Sequence, residues 1–239
     1  MIHIRVTEKD FNDNNLLYVQ SALSEIFTHA SCRVYKDKTD GRVALTIACP
    51  EYYGDIVLAE IADKVAEVVA IRYKYDFFKS NIKVGGLSSV ENEILMASLI
   101  AADLEDDRKY SYDRIKGNKE ITIDGIYNFR LQPLKKKWRD VAAYIPTCFL
   151  NSQLKEFISY LLENKKKRVY VDGGRVYDSH YRRLKRSSLL DGDGAKIVRE
   201  VLLSNCGEVE LSGEIPKDDE YYLKEFYSDK IFFSKRLQS

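Results

Sequence analysis

The side chains that most often carry chemistry are thinly spread in this sequence. Histidine occurs three times, at His3, His29 and His180, and no two lie at the spacing of a metal pair. There is no Gly-x-Ser-x-Gly elbow, no Walker loop and no Rossmann fingerprint, so no activated serine, phosphate loop or cofactor is implied. Asp191-Gly192-Asp193-Gly194 has the composition of a calcium loop. It lacks the later ligands and terminal Glu of such a loop and reads as a turn plus helix cap. Glu105, Asp106 and Asp107 fall at a helix end and read as solvated charge. The four cysteines, at 32, 49, 148 and 206, are too irregularly spaced for a zinc knuckle. They read as core thiols of a reducing compartment. An enzyme would need distant residues to converge, with His180, Asp172, Asp178 and Asp193 as the group to test.

Charge is more informative. Between Arg130 and Leu190 there are 15 Lys or Arg against 5 Asp or Glu, a balance of +10 in a chain whose total is +1. Three clusters carry it. The first is Lys135, Lys136, Lys137 and Arg139, with Trp138 among them. The second is Lys165, Lys166, Lys167 and Arg168. The third runs over 175–186, with Arg175, Arg182, Arg183, Lys185 and Arg186, and with Tyr181 among them. Tyr170 and Tyr177 are interleaved. Cations with aromatic faces between them suit phosphates and bases, and arginine suits bidentate phosphate contacts. The competing reading is lysine-rich helix ends facing water and the helix dipole.

The elements that must position these residues follow from periodicity. Residues 2–6 alternate as a strand. Leu16, Val19, Leu23, Ile26 and Phe27 share one helical face, and two strands meet at a turn containing Asp40-Gly41. The first 50 residues thus form a small β-α-β-β unit. A long helix over 54–80 follows, with Ile56, Ala59, Ala62, Val65, Ala66, Val69 and Tyr73 at helical spacing. Ser88 or Ser89 caps a third helix, with Glu91 in its first turn. That helix runs on to the charged stretch from Glu105. A short strand at 120–123, a turn at Asp124-Gly125 and a partly helical segment with Pro133 in a first turn or at a kink come next. A helix over 149–167, a hairpin around Asp172-Gly173-Gly174, a short helix and strand to 213, and a helix with a final strand over 230–237 complete the chain.

Ile121, Ile123, Gly125, Ile126, Phe129, Arg130 and Leu131 form a short pattern, Gly-apolar-x-x-Phe-Arg after a strand. This resembles the YtxC-like family of sporulation proteins. Glu156, Phe157, Ile158 and Leu161, and the stretch 197–211, continue the likeness, which covers about residues 90–211. The Lys run after Pro133, the enlarged basic segment at 168–188 and the extension from Lys217 depart from the family pattern. The resemblance implies a spore-forming bacterial setting and a cytoplasmic protein, and it transfers no catalytic residue. It implies that Ile126 and Phe129 anchor the strand-to-helix corner in the core. Arg130 would bond nearby carbonyls or a carboxylate, or face the basic surface.

The expectation is an α+β protein, with a β-α-β-β module and long helix over 1–85 and a helical and β-hairpin region over 86–239. No segment is long and apolar enough for a membrane span or signal peptide, which places the chain in the cytoplasm. The expected function is non-enzymatic and sporulation-associated, without metal or cofactor. Its expected partner is a nucleic acid or an acidic protein, met by the basic 130–190 surface. A self-associating scaffold, or an enzyme with an unrecognised site, are the alternatives.

Overall fold

The computed structural model describes residues 1–234. Its elements in order are β1 (Ile2–Lys9), α1 (Asp13–Ala22), α2 (Ser24–His29), β2 (Arg33–Thr39), β3 (Arg42–Cys49) and α3 (Gly54–Val68). After a π-helical turn (Val69–Tyr73) come α4 (Lys74–Asn81), α5 (Ser89–Ala101), α6 (Leu104–Ile115), β4 (Glu120–Thr122), α7 (Ile123–Phe129), α8 (Gln132–Tyr144) and α9 (Asn151–Leu162). Then follow β5 (Arg168–Asp172), β6 (Arg175–Tyr177), α10 (Lys196–Leu203), β7 (Glu208–Ser212), α11 (Lys217–Tyr227) and β8 (Ile231–Phe233). The fold is α+β, with two four-stranded sheets. From residue 235 the expected last strand lies outside the described residues.

The chain divides into two discontinuous units, 1–77 with 105–141, and 78–104 with 142–239. The sequence boundary at 85/86 falls inside the second. Contiguity hides this division because β4 returns to pair in parallel with β1, Val6 opposite Ile121.

In the first unit the strand order is β2-β3-β1-β4. Ile4 faces Ile47 and Val6 faces Leu45, all four fully buried. At the β2–β3 turn Asp40 and Gly41 both take positive φ, 52° and 71°, as a two-residue hairpin with right-handed twist requires. The helix expected over 14–27 is broken between α1 and α2. Ser21, Ser24 and Thr28 hydroxyls donate to the carbonyls of Tyr18, Ser21 and Ser24, which bends a helix. The buried stripe of α3 is Val57, Leu58, Ile61, Ala62, Val65 and Ala66, so Ile56 and Ala59, expected on it, are exposed.

The π turn inserts one residue and re-phases the helix. Tyr73 and Lys74 point inward as a result, beside Glu67, which α3 already buries. Tyr18 donates to Glu67. Tyr73 and Asn15 donate to the buried Glu8 at 2.7 and 3.1 Å. Lys74 donates to Asp107 at 2.8 Å.

Three expectations are corrected here. Asp107 is not solvated: its side chain is 1% exposed and accepts from Lys74, Lys137 and Trp138. It belongs to the separate helix α6 rather than to the end of α5. Asp124-Gly125 is not a turn but the first turn of α7, where the Asp124 carboxylate pairs with Arg42. Phe129 is 84% exposed and anchors nothing, whereas Ile126 is buried.

In the second unit the order is β6-β5-β7-β8, with β5–β6 antiparallel and the other pairs parallel. Val169, Val171, Val176, Val209 and Leu211 make the buried face. Ser88 and Glu91 close a capping box at α5. The Asp191–Gly194 stretch is a turn leading into α10. Buried Arg199 donates to the carbonyls of Asp191 and Gly192, and Gly194 N–H donates to Glu93. A Cβ on Gly192, at φ +82°, would lie 2.2 Å from the Glu93 carboxylate.

Candidate functional site on the second sheet

Alternation along β5 decides what the outer face of this sheet carries. Val169 and Val171 point inward, so Arg168, Tyr170 and Asp172 point outward. The register sets Tyr170 between Tyr177 on β6 and Glu210 on β7, and Asp172 between Arg175 and Ser212. Phe232 on β8 lies opposite Glu210.

A third tyrosine comes from the loop after β6. The Asp178 carboxylate accepts from His180 N–H at 2.8 Å, Arg182 N–H at 3.0 Å and the Arg182 guanidinium at 2.9 Å. Burial opposes charge on Asp178, but these hydrogen bonds prevail and hold its carboxyl below the usual range. The loop turns back on itself, and Tyr181 sits at φ +57°. That left-handed conformation is strained for a bulky side chain and persists only where its surroundings impose it. The Tyr181 ring stacks on Tyr170 with centroids 4.7 Å apart and planes 21° apart. It nevertheless remains 69% exposed. The Tyr170 hydroxyl and the Glu210 carboxylate together raise the Tyr181 phenol above its ordinary pKa. Beside these rings lies a cavity of about 270 Å³ lined by Tyr170, Tyr177, Tyr181, Glu210, Asp172 and Ser212.

The expected binding residues separate sharply. In the first unit Trp138 is fully buried, donating its indole N–H to Asp107 at 2.8 Å, and offers no face to a ligand. The sequence placed it among lysines. The helical turn places it opposite α6, where Asp107 satisfies it. Lys137 pairs with the same carboxylate. Lys135 lies 3.9 Å from the centre of the Tyr127 ring and donates to Asn128, and burial lowers its pKa. Arg130 reaches the Arg114 carbonyl at 3.5 Å. Lys136 and Arg139 are exposed.

In the second unit Arg168 is held by Glu208 at 2.7 Å and Glu210 at 3.4 Å, over the Phe232 ring. Arg182 is occupied by Asp178, and Arg186 by the Leu203 carbonyl at 2.8 Å. Lys165 and Lys185 are half-buried, while Lys166, Lys167 and Arg183 are exposed. Tyr170 and Tyr177, the aromatics read from sequence as interleaved with the cations, Asp172 and Arg175 complete the site together with Glu210, which the sequence did not single out. Strict alternation in Arg168–Asp172 and Glu208–Ser212 is the signal that groups them.

Other polar groups offer less. Of the four residues proposed for a catalytic cleft, Asp172 lines the cavity, Asp178 is consumed by its loop, His180 is exposed on that loop and Asp193 pairs with Lys196 in the open. A cleft of about 340 Å³ in the first unit has walls that neutralise each other, Arg108 against Asp63 and Glu105. Among the described residues no three His, Cys, Asp or Glu side chains are arranged to hold a metal ion, and no helix is long and apolar enough to cross a membrane. No family model, curated protein or solved structure matches the chain.

Proposed function

We propose that this chain is a non-enzymatic, cytoplasmic, sporulation-associated protein that binds single-stranded nucleic acid on the outer face of its second sheet. The observation that carries the reading is the strained Tyr181 held against Tyr170 beside an open cavity. Aromatic faces accept unpaired bases of any sequence, and exposed cations at their edge neutralise the backbone. Arg175, opposite Asp172, and Arg183, bridged to Tyr177, stand beside the rings, and the exposed Lys166 and Lys167 just before β5 extend the path for a strand. An acidic protein would use the charges and leave the rings idle. The resemblance of residues 121–131 to YtxC-like proteins supports the sporulation setting.

The test is fluorescence anisotropy with a labelled single-stranded 12-mer. If all four cations meet phosphates, log K falls with log salt at a slope of about −2.8, which is about 50-fold between 50 and 200 mM. Arg183→Glu should weaken binding at every salt concentration. Binding that is absent, or indifferent to salt and to Arg183→Glu, refutes the reading. Oligomers that salt dissolves and nucleic acid leaves intact would favour the self-associating scaffold instead.

A further inference from the structure

We infer that the tyrosine-lined cavity selects guanine. The inference rests on the nucleic-acid reading above and deepens it. A tyrosine face does not distinguish bases, so discrimination falls to the polar groups in the cavity. Those are carboxylates, Glu210 next to Tyr170 in register and Asp172 one step further along β5. An ionised carboxylate only accepts hydrogen bonds, and it accepts two parallel N–H donors best. Guanine alone presents two adjacent donors, N1–H and the N2 amino group, on its pairing edge. Adenine and cytosine set one amino donor beside an unprotonated ring nitrogen, whose lone pair a carboxylate repels. Uracil and thymine flank their single N–H with two carbonyl oxygens.

Glu210 has acceptor capacity to spare. Its contact with Arg168 is long, 3.4 Å to one oxygen, because the Arg168 fork is satisfied at 2.9 and 2.7 Å by Glu208. The cavity, about 270 Å³, falls just below the roughly 300–1,000 Å³ of small-molecule sites and suits one heterocycle rather than an extended ligand. Arg175 and Arg183 stand at its rim for the attached phosphate: Arg175 is opposite Asp172, and Arg183 is bridged to Tyr177. Rings with carboxylates are also the chemistry of an organic-cation cage. Here Tyr170 and Tyr181 lie as nearly parallel plates rather than as walls around a point charge, and two exposed arginines repel a cation.

The experiment compares the full chain's affinity for a U8 RNA, the same 8-mer with one central G, and the same with one central A. GMP, AMP and tetramethylammonium serve as competitors. The G-containing 8-mer should bind at least about tenfold more tightly than U8, as a bidentate contact provides, and the A-containing one should gain far less. In Glu210→Ala, Asp172→Ala or their combination the ratio should fall to near one, with circular dichroism confirming the fold. Competition by GMP matching that of the G 8-mer would identify a free nucleotide as the source of the base. Competition only by the 8-mer would identify a strand. U8 binding without a guanine preference, or a preference that survives the double substitution, overturns the inference and leaves the nucleic-acid reading standing. Displacement by tetramethylammonium but not by GMP overturns it in favour of a cation. No binding of any 8-mer or nucleotide overturns both.

Discussion

Asp107→Asn should destabilise the first unit by about 3–5 kcal/mol. Lys74 and Asp107 are each 1% exposed, and the carboxylate accepts from the Lys74 ammonium at 2.8 Å, Lys137 at 2.7 Å and the Trp138 indole at 2.8 Å. Asparagine keeps the size and one acceptor for the indole but removes the charge that compensates a desolvated ammonium. Breaking a buried pair by neutralising one partner typically costs about 3–5 kcal/mol, more than the Coulomb gain of forming it. Lys137 adds little, since its side chain is 40% exposed and water can replace the carboxylate. The assay is urea unfolding followed by tryptophan fluorescence. Trp138 is the only tryptophan and touches the perturbed group, so the signal reports this unit directly. On heating, the same loss should lower Tm by on the order of 10 °C. Adding Lys74→Met should recover most of the stability, because the desolvated charge is then gone. A loss below about 1 kcal/mol in the single variant would refute the reasoning. So would a double variant as unstable as the single one.

Two further outcomes follow from other sites. Burial raises the Glu8 carboxyl above its usual range, although Tyr73, the Lys9 N–H and Asn15 pull the other way. The folded chain therefore holds that proton more tightly than the unfolded one. Glu8's contribution to stability is full below its ordinary pKa and is lost as pH rises through the raised value. Urea midpoints measured from pH 4.5 upward should lose this falling component in Glu8→Gln, and an unchanged profile counts against it. Tyr181→Gly should relieve about 1–3 kcal/mol of left-handed strain while losing about 0.5–1.5 kcal/mol of ring stacking. Unfolding midpoints should then hold or rise while single-strand affinity falls. A clear loss of stability would mean that the loop is not strained.

Local pattern was enough for much of this molecule. The Asp40-Gly41 and Gly173-Gly174 hairpins, the Ser88 cap, the position of Pro133 in the first turn of α8 and the α+β class all depend on neighbours a few residues apart, where turn chemistry and period dominate. The alternation of β5 likewise foretells that Tyr170 leaves the core. Other features depend on contacts distant in sequence. Residues 105–141 join the first unit because β4 pairs with β1. Trp138 and Asp107 are buried because they satisfy each other, though a basic and an acidic run each suggested solvent. Ion pairing is a pairwise property, so composition could count the cations of 130–190 but not distinguish Arg183, left exposed, from Arg168 and Arg182, which carboxylates occupy. The candidate site exists only where strand register brings Tyr170, Tyr177 and Glu210 side by side and a strained loop folds Tyr181 over them.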